Sequence, residues 1–422
     1  MIYKTYKIGP INLHTIKCNK FRQCHMEIIF RNDIKKEELT LRSFLFEMLT
    51  ENNKTYNTRR ELVLKMEELY NTYLYSVTSR VGSTVLTSLC LDFINPRYTK
   101  GEFLRDVLSL PFDIINNPNV ENNEFDIDTF NIVKKRLELD ILSINENPKR
   151  KAVVECLKET APNTSSSYLI NGTLDDLNRI TPLNLYEYYK SILNHDIIDI
   201  YIIGDLNMDE VSNIIKDLST FNILKEKETT FLVDNKPIKK IKEKRGIMNI
   251  TQANVAITLN INNPTEFERN YVARVYNGIL GAGSLETKLY KYLRNDNSLC
   301  YNVGSSYQKY DQLFIIQTAI NKENYKSAIK LIKKALKEML TGNFTEDDIN
   351  NTKETIYSSL DSSYENPGRI VDNYLFQNIT DLDPLEERYE KYKSVTKKDI
   401  LNFAKKVSIN TIFMLSDGDE NE

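Results

Sequence analysis

Histidine is scarce in this chain, whose 422 residues contain only three: His14, His25 and His195. No two of them lie within one helical turn of each other, so neither H-x-x-E-H nor H-E-x-x-H occurs anywhere. Those motifs place two imidazoles on one helix face, where they hold zinc beside a glutamate base. The sequence therefore predicts that the chain builds no zinc hydrolase site by itself, and no metal or other cofactor is expected.

Cysteines, net charge and long apolar runs are also limited. The five scattered cysteines fit a reducing cytoplasm better than a disulfide framework. The formal net charge of -3 gives no overall basicity for nucleic-acid binding. The longest apolar run is far too short for a membrane span, and the polar N-terminus, interrupted by Pro10, is not expected to be a signal peptide. We expect a cytoplasmic globular protein that binds neither nucleic acid nor membrane.

An internal repeat is the main feature that is present. Each copy has a threonine N-cap, then a helix with an aromatic residue at the same place, then a β-branched strand that runs into Gly-Asp or Asp-Gly. The first copy carries Thr181 and Tyr188, and the second carries Thr396 and Phe403. The two threonines are about half of the chain apart, and a repeat of that length predicts two copies of one domain.

Strand and helix patterns fit this two-copy organisation. They predict an α+β fold of two homologous domains, each a mostly antiparallel β-sheet with helices packed on one face. The N-terminal domain is placed at residues 1–221 and the C-terminal domain at residues 246–422. The charged segment 222–245 is typical of a linker. Its lysine-rich end, from Lys236, could also be a nucleic-acid patch, but it lacks interleaved aromatic residues, which favours a solvated linker.

Two segments carry candidate functional residues. Residues 35–52 predict an amphipathic helix with apolar residues at i, i+3, i+4 and i+7, and this helix contains Ser43, Phe46 and Glu47. The second segment has a glycine-rich turn, a helix with an apolar stripe, an arginine at the end of that helix and a tyrosine on the next strand. Its residues are Gly281, Gly283, Ser284, Leu285, Leu289, Leu293, Arg294 and Tyr301.

Together these segments resemble the M16 (insulinase/pitrilysin-like) metallopeptidases, over nearly the whole chain. In that family His-x-x-Glu-His occupies the frame of Ser43, Phe46 and Glu47. The family's third zinc ligand, a glutamate, falls near Asp140. The second segment resembles the family's C-terminal signature, Leu-Arg-x-x-x-x-Leu-x-Tyr after a glycine-rich turn, although Asn295-Asp296 replaces the usual Glu-Lys. The resemblance implies the fold of an M16 clam-shell half with a degenerate zinc motif.

Within the family, the chain resembles the non-catalytic partners of bacterial two-subunit M16 systems, which include the protein associated with elongation factor P modification. The resemblance implies that Arg294 and Tyr301 hydrogen-bond a peptide substrate or its oxyanion in trans. It also implies an M16 sibling subunit that carries H-x-x-E-H and the zinc. The chain alone is then not an enzyme, and its four degenerate positions, Ser43, Phe46, Glu47 and Asp140, are not catalytic.

Two further interpretations stay open. The chain could be a stand-alone peptide-binding or scaffold protein without peptidase activity, since an extended peptide can add to an exposed strand edge. An independent hydrolase with rearranged ligands is the third, and the histidine count argues strongly against it. An isolated chain could be a monomer or a homodimer.

Overall fold

Two main β-sheets and one short hairpin account for the strands in the computed structural model, which describes residues 1–221, 228–233, 240–283 and 285–418. The strands are β1 (Ile2–Ile8), β2 (Ile11–Lys17), β3 (Gln23–Asp33), β4 (Tyr73–Val81), β5 (Thr84–Ile94), β6 (Val120–Glu121), β7 (Glu124–Phe125), β8 (Ile197–Gly204), β9 (Lys242–Ile247), β10 (Ala253–Ile261), β11 (Cys300–Gln308), β12 (Leu313–Ile320) and β13 (Val407–Ser416).

The two sheets have the same strand topology. The first has the order β1-β2-β8-β3-β5-β4 and the second has the order β9-β13-β10-β12-β11 when read in the same sense. In each sheet one pair is parallel, β2 with β8 and β9 with β13, and every other pair is antiparallel. Apart from the additional β1, each strand of one sheet thus has a counterpart in the other. The predicted α+β fold with two similar, mostly antiparallel halves is confirmed.

Helices fill the connections between the strands. The α-helices are α1 (Leu39–Leu49), α2 (Arg59–Glu68), α3 (Phe103–Asn116), α4 (Ile127–Glu146), α5 (Pro148–Thr160), α6 (Leu174–Asn178), α7 (Pro182–His195), α8 (Met208–Leu218), α9 (Ala273–Leu280), α10 (Lys288–Tyr290), α11 (Tyr325–Thr341), α12 (Glu346–Ser363), α13 (Pro367–Ile379), α14 (Leu385–Ser394) and α15 (Lys397–Ala404). Short 3₁₀ turns begin or join several of them, and two π-helical segments occur at Glu268–Val272 and Lys291–Asn295. No described helix is both long enough and apolar enough to cross a bilayer.

The repeated threonines begin equivalent helices, as the sequence predicts. Thr181 and Thr396 each accept a hydrogen bond from the backbone N–H three residues later, at 3.2 Å in both cases. The side chain of that third residue, Asn184 or Asp399, accepts the N–H of the threonine in return, which completes a capping box. The helices α7 and α15 then lead directly into the equivalent strands β8 and β13.

Two compact units divide the chain, and neither is a continuous half. The first unit consists of residues 1–141, 169–230 and 364–375, and the second of residues 142–168, 231–363 and 376–422. The contiguous boundaries expected from the sequence differ from this division because each unit includes one helix from the other half of the chain. Residues 222–227 and 234–239 of the expected linker, with Lys236, lie outside the described residues, and Lys242–Ile247 at its end form β9.

Alternation along the strands gives each sheet two unlike faces. In the first unit, Met26, Ile28 and Phe30 of β3 point into the helix-covered core, while His25 and Glu27 point to the opposite face. Residues 364–375, which include most of α13, pack on that opposite face. In the second unit α5 packs against β10 and β13 in the same manner. The main helical layer therefore lies on one face of each sheet, as predicted, and one additional helix covers the other face.

All five cysteines are buried free thiols. The thiol of Cys156 on α5 donates to the carbonyl of Ala256 at 3.4 Å, at the packing surface of β10. Cys24 and His25 are consecutive on β3 and face opposite ways, so they do not form a joint metal site.

Candidate functional site

Helix α1 turns two of the three degenerate motif positions toward the protein interior. The hydroxyl of Ser43 donates to the carbonyl of Ile170 at 3.1 Å, and the Ser43 side chain is buried. Phe46 is 1% exposed, and its ring meets Phe30 edge to face at 5.1 Å between centroids. Neither side chain is available to a substrate or to a metal ion. At the position where the M16 resemblance implies a zinc ligand, Ser43 is hydrogen-bonded to a backbone carbonyl. At the position where it implies a general base, Phe46 is an aromatic residue of the core.

Glu47, the third motif position, lies in an acidic cluster held by one arginine. Arg136 on α4 donates from Nε to Glu47 at 3.1 Å and from its terminal nitrogen to Glu51 at 2.8 Å. Burial raises the pKa of Glu47 and the nearby charges of Asp140 and Glu51 add to this, while the hydrogen bond and charge of Arg136 oppose it. Arg136 and Asp140 are one helical turn apart on α4. A guanidinium therefore supplies the positive charge among these carboxylates.

The described residues do not fit a zinc ion at this position. They contain no group of three or more His, Cys, Asp or Glu side chains with a metal-binding arrangement. The histidines lie elsewhere: His14 on β2, His25 on β3 and His195 at the end of α7. Carboxylates bridged by an arginine are an ion-pair network, and zinc sites of this class require imidazole or thiolate donors in addition. The arrangement assigns no hydrolytic chemistry to α1 and α4.

The glycine-rich turn of the second unit is fixed by close contacts. Gly281 ends α9, and its carbonyl accepts the backbone N–H of Ser305 on β11 at 2.9 Å. A Cβ at Gly281 would lie 2.6 Å from a methyl carbon of Leu289 and 2.7 Å from the Ser305 hydroxyl, so a larger residue would have to displace both side chains. Gly283 adopts a φ of +82°, which also favours glycine. Ser284, assigned to this turn from the sequence, lies outside the described residues.

The helix after the turn begins later than the sequence pattern predicts. Thr287 caps it by accepting the N–H of Tyr290, so regular helix starts at Lys288. Leu289 and Leu293 are fully buried, as expected, but Leu285 is 67% exposed because it precedes the helix. The apolar stripe that was predicted to include Leu285 is therefore wrong at that residue.

Arg294 and Tyr301 form a pair at the end of this segment. Arg294 lies in the π-helical segment Lys291–Asn295, and its guanidinium donates to the carbonyl of Cys300 at 3.2 Å. The guanidinium carbon lies 4.9 Å from the centroid of the Tyr301 ring. Tyr301 is 81% exposed. A cation stacked on an aromatic face orients both groups, so the phenol and the remaining guanidinium N–H groups are hydrogen-bond donors at the surface of the second unit.

A bulge in β11 explains the direction of Tyr301. The pairing of β11 with β12 shifts register between Cys300, which pairs with Ile320, and Val303, which pairs with Thr318. Tyr301 and Asn302 fall inside this irregularity. Bulges re-aim side chains and are common beside functional sites, as are short π-helical insertions. Sequence reasoning found the two residues but missed the bulge, because an added residue leaves no mark in the alternation of so short a strand.

Comparison with known proteins identifies what this arrangement resembles. Residues 179–356 match the family described as "Peptidase M16 inactive domain". The chain is 24% identical over 422 residues to "Probable inactive metalloprotease YmfF" of Bacillus subtilis (strain 168), covering 97% of this chain and 96% of that protein. The predicted resemblance to inactive M16 homologues is confirmed, and helix α1 contains no histidine.

Solved structures share the fold over the full length. A conserved protein from Enterococcus faecalis V583 has a TM-score of 0.92 at 23% identity, with 100% of both chains covered. A peptidase M16 inactive domain from Pseudomonas fluorescens has a TM-score of 0.80 at 15% identity, again with 100% of both chains covered. At these identities the likeness concerns the fold alone.

Proposed function

We propose that this inactive M16 homologue is the non-catalytic subunit of a two-chain zinc peptidase. Its sibling subunit carries H-x-x-E-H and holds the zinc, while this chain forms half of the peptide-binding chamber and supplies Arg294 and Tyr301. The observation that carries the proposal is the 81% exposure of Tyr301, with its ring held 4.9 Å from the guanidinium of Arg294. A tyrosine kept in that position by a cation and a bulge is oriented for a partner outside the second unit.

The chemistry of the pair suits peptide cleavage in trans. Attack of a zinc-bound water on a peptide carbonyl produces a tetrahedral oxyanion, which is stabilised by donors already in place. A phenol O–H and guanidinium N–H groups are such donors, and neither can cleave a peptide without a nucleophile. The pair therefore complements a zinc subunit and adds nothing to this chain alone.

The edge strand β11 gives a peptide a place to bind beside the pair. Among the described strands β11 pairs only with β12, so no strand covers its other edge, although the Ser305 N–H there is occupied by the Gly281 carbonyl and the Ser305 carbonyl accepts from the Asn277 side chain at 3.4 Å. A cleft of about 370 Å³ adjoins this edge and is lined by Gly281, Gly283, Asn302 and Gly304 among others. An extended peptide can add to an unpaired strand edge through its backbone, which gives affinity with little demand on side-chain sequence.

The proposal also includes a cellular location for the two-chain enzyme. Five buried free thiols suit a reducing compartment, so we assign the two-chain enzyme to the bacterial cytoplasm.

The test is to purify the chain with an M16 sibling that has an intact H-x-x-E-H and to assay peptide cleavage by each chain and by the pair. We expect activity only from the pair. Tyr301→Phe removes one hydroxyl and leaves the ring, so it should lower kcat by roughly a hundredfold, the typical loss for one oxyanion donor. Subunit association and melting temperature should stay unchanged.

A matched control exists in the first unit. Arg97 lies 4.8 Å from the ring centroid of Tyr98, which is 48% exposed, so this pair has nearly the same guanidinium-to-ring distance as Arg294 and Tyr301, although Arg97 also pairs with Asp205 at 3.1 Å. Tyr98→Phe should leave kcat unchanged. Equal turnover by the Tyr301→Phe and unmodified complexes would remove the pair from the reaction.

The alternative function is peptide binding without a peptidase partner, which the edge of β11 would also support. If no zinc-bearing sibling associates with the chain and the isolated chain binds extended peptides with micromolar or better affinity, this alternative replaces the two-chain peptidase.

A further inference from the structure

A second cleft in the second unit lies on the other side of the glycine-rich turn. Its volume is about 730 Å³, within the range of small-molecule sites. Helices α9, α11 and α12 form its walls together with residues of the turn. The buried apolar side chains that line it are Ile279, Tyr292, Phe344 and Ile356. An apolar lining with a few charged groups is typical of a site for a small organic molecule.

Most charged groups of this cleft already have partners within the protein. Lys288 lies 3.3 Å from Glu338, and Glu338 also accepts the phenol of Tyr292. Asp348 accepts the backbone N–H of Thr345 at 2.8 Å and so caps α12. Two of the lining acids and one of the cations are thus committed to structural contacts.

Arg274 and Lys291 are the cations that remain. Arg274 donates to the neutral hydroxyl of Ser359 at 3.1 Å, and Lys291 is exposed. Neither forms an ion pair with another described residue. The other lining acid, Glu286, is exposed to solvent. The cleft therefore combines an apolar wall with two cations, Arg274 and Lys291, that form no ion pair with a carboxylate among the described residues.

We propose that this cleft binds a small organic anion, with a carboxylate or phosphate group held by Arg274 and Lys291 and an apolar body against Tyr292 and Phe344. A guanidinium binds such groups through two N–H donors, and the lysine adds a point charge. The hydroxyl of Thr352, which also lines the cleft, is a further donor for the anionic group. A cationic ligand would meet both unpaired cations and is disfavoured by repulsion.

The position of the cleft makes it suited to an effector. Ala282 and Gly283 line both this cleft and the smaller cleft beside β11. A ligand in the larger cleft would contact the turn whose Gly281 carbonyl holds β11. This regulatory consequence rests on the proposed function, whereas binding of the anion does not.

The binding test uses three probes of this class: 4-phenylbutyrate, octanoate and phenyl phosphate. Each is titrated by calorimetry into the whole chain, with 4-phenylbutyramide as the uncharged analogue and inorganic phosphate as the anion without an apolar body. We expect at least one probe to bind at one site per chain with a Kd of about 1 mM or tighter, as its size allows. The amide and inorganic phosphate should each bind at least about tenfold more weakly.

Variants locate the site. Lys291→Gln changes an exposed side chain and should weaken binding about tenfold without loss of fold, and Arg274→Gln should do at least as much. Thr355→Trp places an indole in the lining at an exposed helix position and should abolish binding. Lys330→Gln, an exposed change on α11 outside the cleft, is the control and should have no effect.

Two results would overturn the proposal. One is the absence of saturable binding by all three probes. The other is binding that persists in both Lys291→Gln and Thr355→Trp, which would place the ligand elsewhere. Because these measurements use the isolated chain, they stand apart from the outcome of the peptidase assay.

Discussion

Arg136 gives the acidic side of α1 a fixed positive charge, and this determines what that surface can do. Its guanidinium reaches Glu47 and Glu51 at once, and Asp140 follows one turn later on the same helix. A metal ion brought to these carboxylates would have to displace an intramolecular cation and would find no imidazole. The mismatch of this position with a zinc site therefore involves the burial of Phe46 and the presence of Arg136, as well as the missing histidines.

At the scale of single residues, we first predict the zinc content of the purified chain. We expect less than about one-tenth of a zinc ion per purified chain after loading with excess zinc and gel filtration, because the donors needed for a closed site are missing. Elemental analysis by mass spectrometry measures this directly. One zinc per chain that only a chelator removes would contradict the prediction.

Replacing Arg136 tests its role as the compensating charge. Arg136→Met keeps an apolar stem but leaves three carboxylates close together, so we expect the free energy of unfolding to fall by about 1 kcal/mol at pH 7, with allowance for solvent screening. Because the folded-state pKa of Glu47 is already raised, this carboxylate takes up a proton readily as the pH falls. The deficit of the variant should therefore shrink near pH 4.

Urea unfolding at the two pH values measures that difference. Arg105→Met is the control, since among the residues that the structure describes Arg105 pairs with one exposed acid, Asp217, at 3.3 Å. Its cost should be below about 0.5 kcal/mol and nearly independent of pH. An Arg136→Met variant as stable as the unmodified protein at pH 7 would show that the carboxylates need no compensating charge.

The sequence identified the residues of the candidate sites but not their surroundings. Ser43, Phe46 and Glu47 could be placed in one frame because helical spacing and residue type are local properties. Arg136 is almost 90 residues further along the chain, and no local pattern links it to Glu47. In the sequence, only the position of Arg136 one helical turn before Asp140 indicated that it lies near the candidate site. Whether Arg294 and Tyr301 serve a partner subunit stays a prediction.

At the scale of elements, the docking of residues 364–375 on the first sheet buries a cluster of ionisable groups. His25 is hydrogen-bonded through one ring nitrogen to Asp92 at 2.7 Å and through the other to Glu27 at 2.8 Å. Burial opposes the charged imidazolium, but these two hydrogen bonds outweigh it and raise the pKa of His25 to about 9. Burial and the charge of Glu27 raise the pKa of Asp372 on α13 to about 6, against the charges of His25 and Arg369.

Both shifts make the native state bind more protons than the unfolded chain. The contribution of His25 is present in full below its unfolded pKa of 6.5 and is lost as the pH rises through about 9. That of Asp372 is present below 3.8 and is lost as the pH rises through about 6. Stability of the first unit should therefore decline between pH 6.5 and pH 9, by an amount on the order of 2 kcal/mol that is due to His25.

The variant His25→Gln tests the predicted direction of this change of stability with pH. The amide can keep one hydrogen bond but cannot carry the charge, so the variant should be less stable at pH 6.5 and should lose most of the decline toward pH 9. Chemical unfolding followed by circular dichroism at several pH values measures it. His195→Gln, at an exposed histidine, should follow the unmodified curve. A steep decline that is the same in both variants would assign the pH dependence to other groups.

The elements themselves were largely predictable, and their partners were not. The β-branched segments of the repeat located β8 and β13, and the threonine caps at Thr181 and Thr396 located α7 and α15. An amphipathic pattern shows that a helix has an apolar face but does not say which sheet will cover it. The apolar positions of α5 would read the same against either sheet, so its inclusion in the second unit could not be derived from the sequence.

The whole molecule is a duplicated fold in which each half of the chain completes the unit of the other. The duplication is visible in the strands of the two sheets. Strands β2, β3, β4, β5 and β8 of the first sheet correspond, in that order, to β9, β10, β11, β12 and β13 of the second. Helix α5 from the first half belongs to the second unit, and residues 364–375 from the second half belong to the first unit. Each unit therefore contains chain from both halves.

This exchange predicts that the halves cannot be separated as independent domains. Fragment 231–422 lacks α5, so Ala256, Phe413 and Leu415 lose the apolar cover that Cys156 and its helix provide. Fragment 1–230 lacks residues 364–375, so Tyr3 loses the stacked ring of Tyr374, which lies 4.6 Å away. Uncovering the apolar face of the second sheet costs about 25 cal/mol for each Å² exposed, and the net stability of a domain is only about 5–15 kcal/mol. Uncovering the first sheet exposes its cluster of ionisable groups to water.

Produced separately, the two fragments should therefore aggregate or unfold at low denaturant concentration. Produced together, they should copurify in a one-to-one complex whose circular dichroism spectrum matches that of the intact chain, because each then regains the helix it lacks. Gel filtration and urea unfolding of the single and paired fragments measure the difference. The midpoint of the pair should rise with fragment concentration, as it must when folding is coupled to association. Two fragments that each unfold cooperatively at the midpoint of the intact chain would show that the exchanged helices contribute little, and that the contiguous halves fold without them.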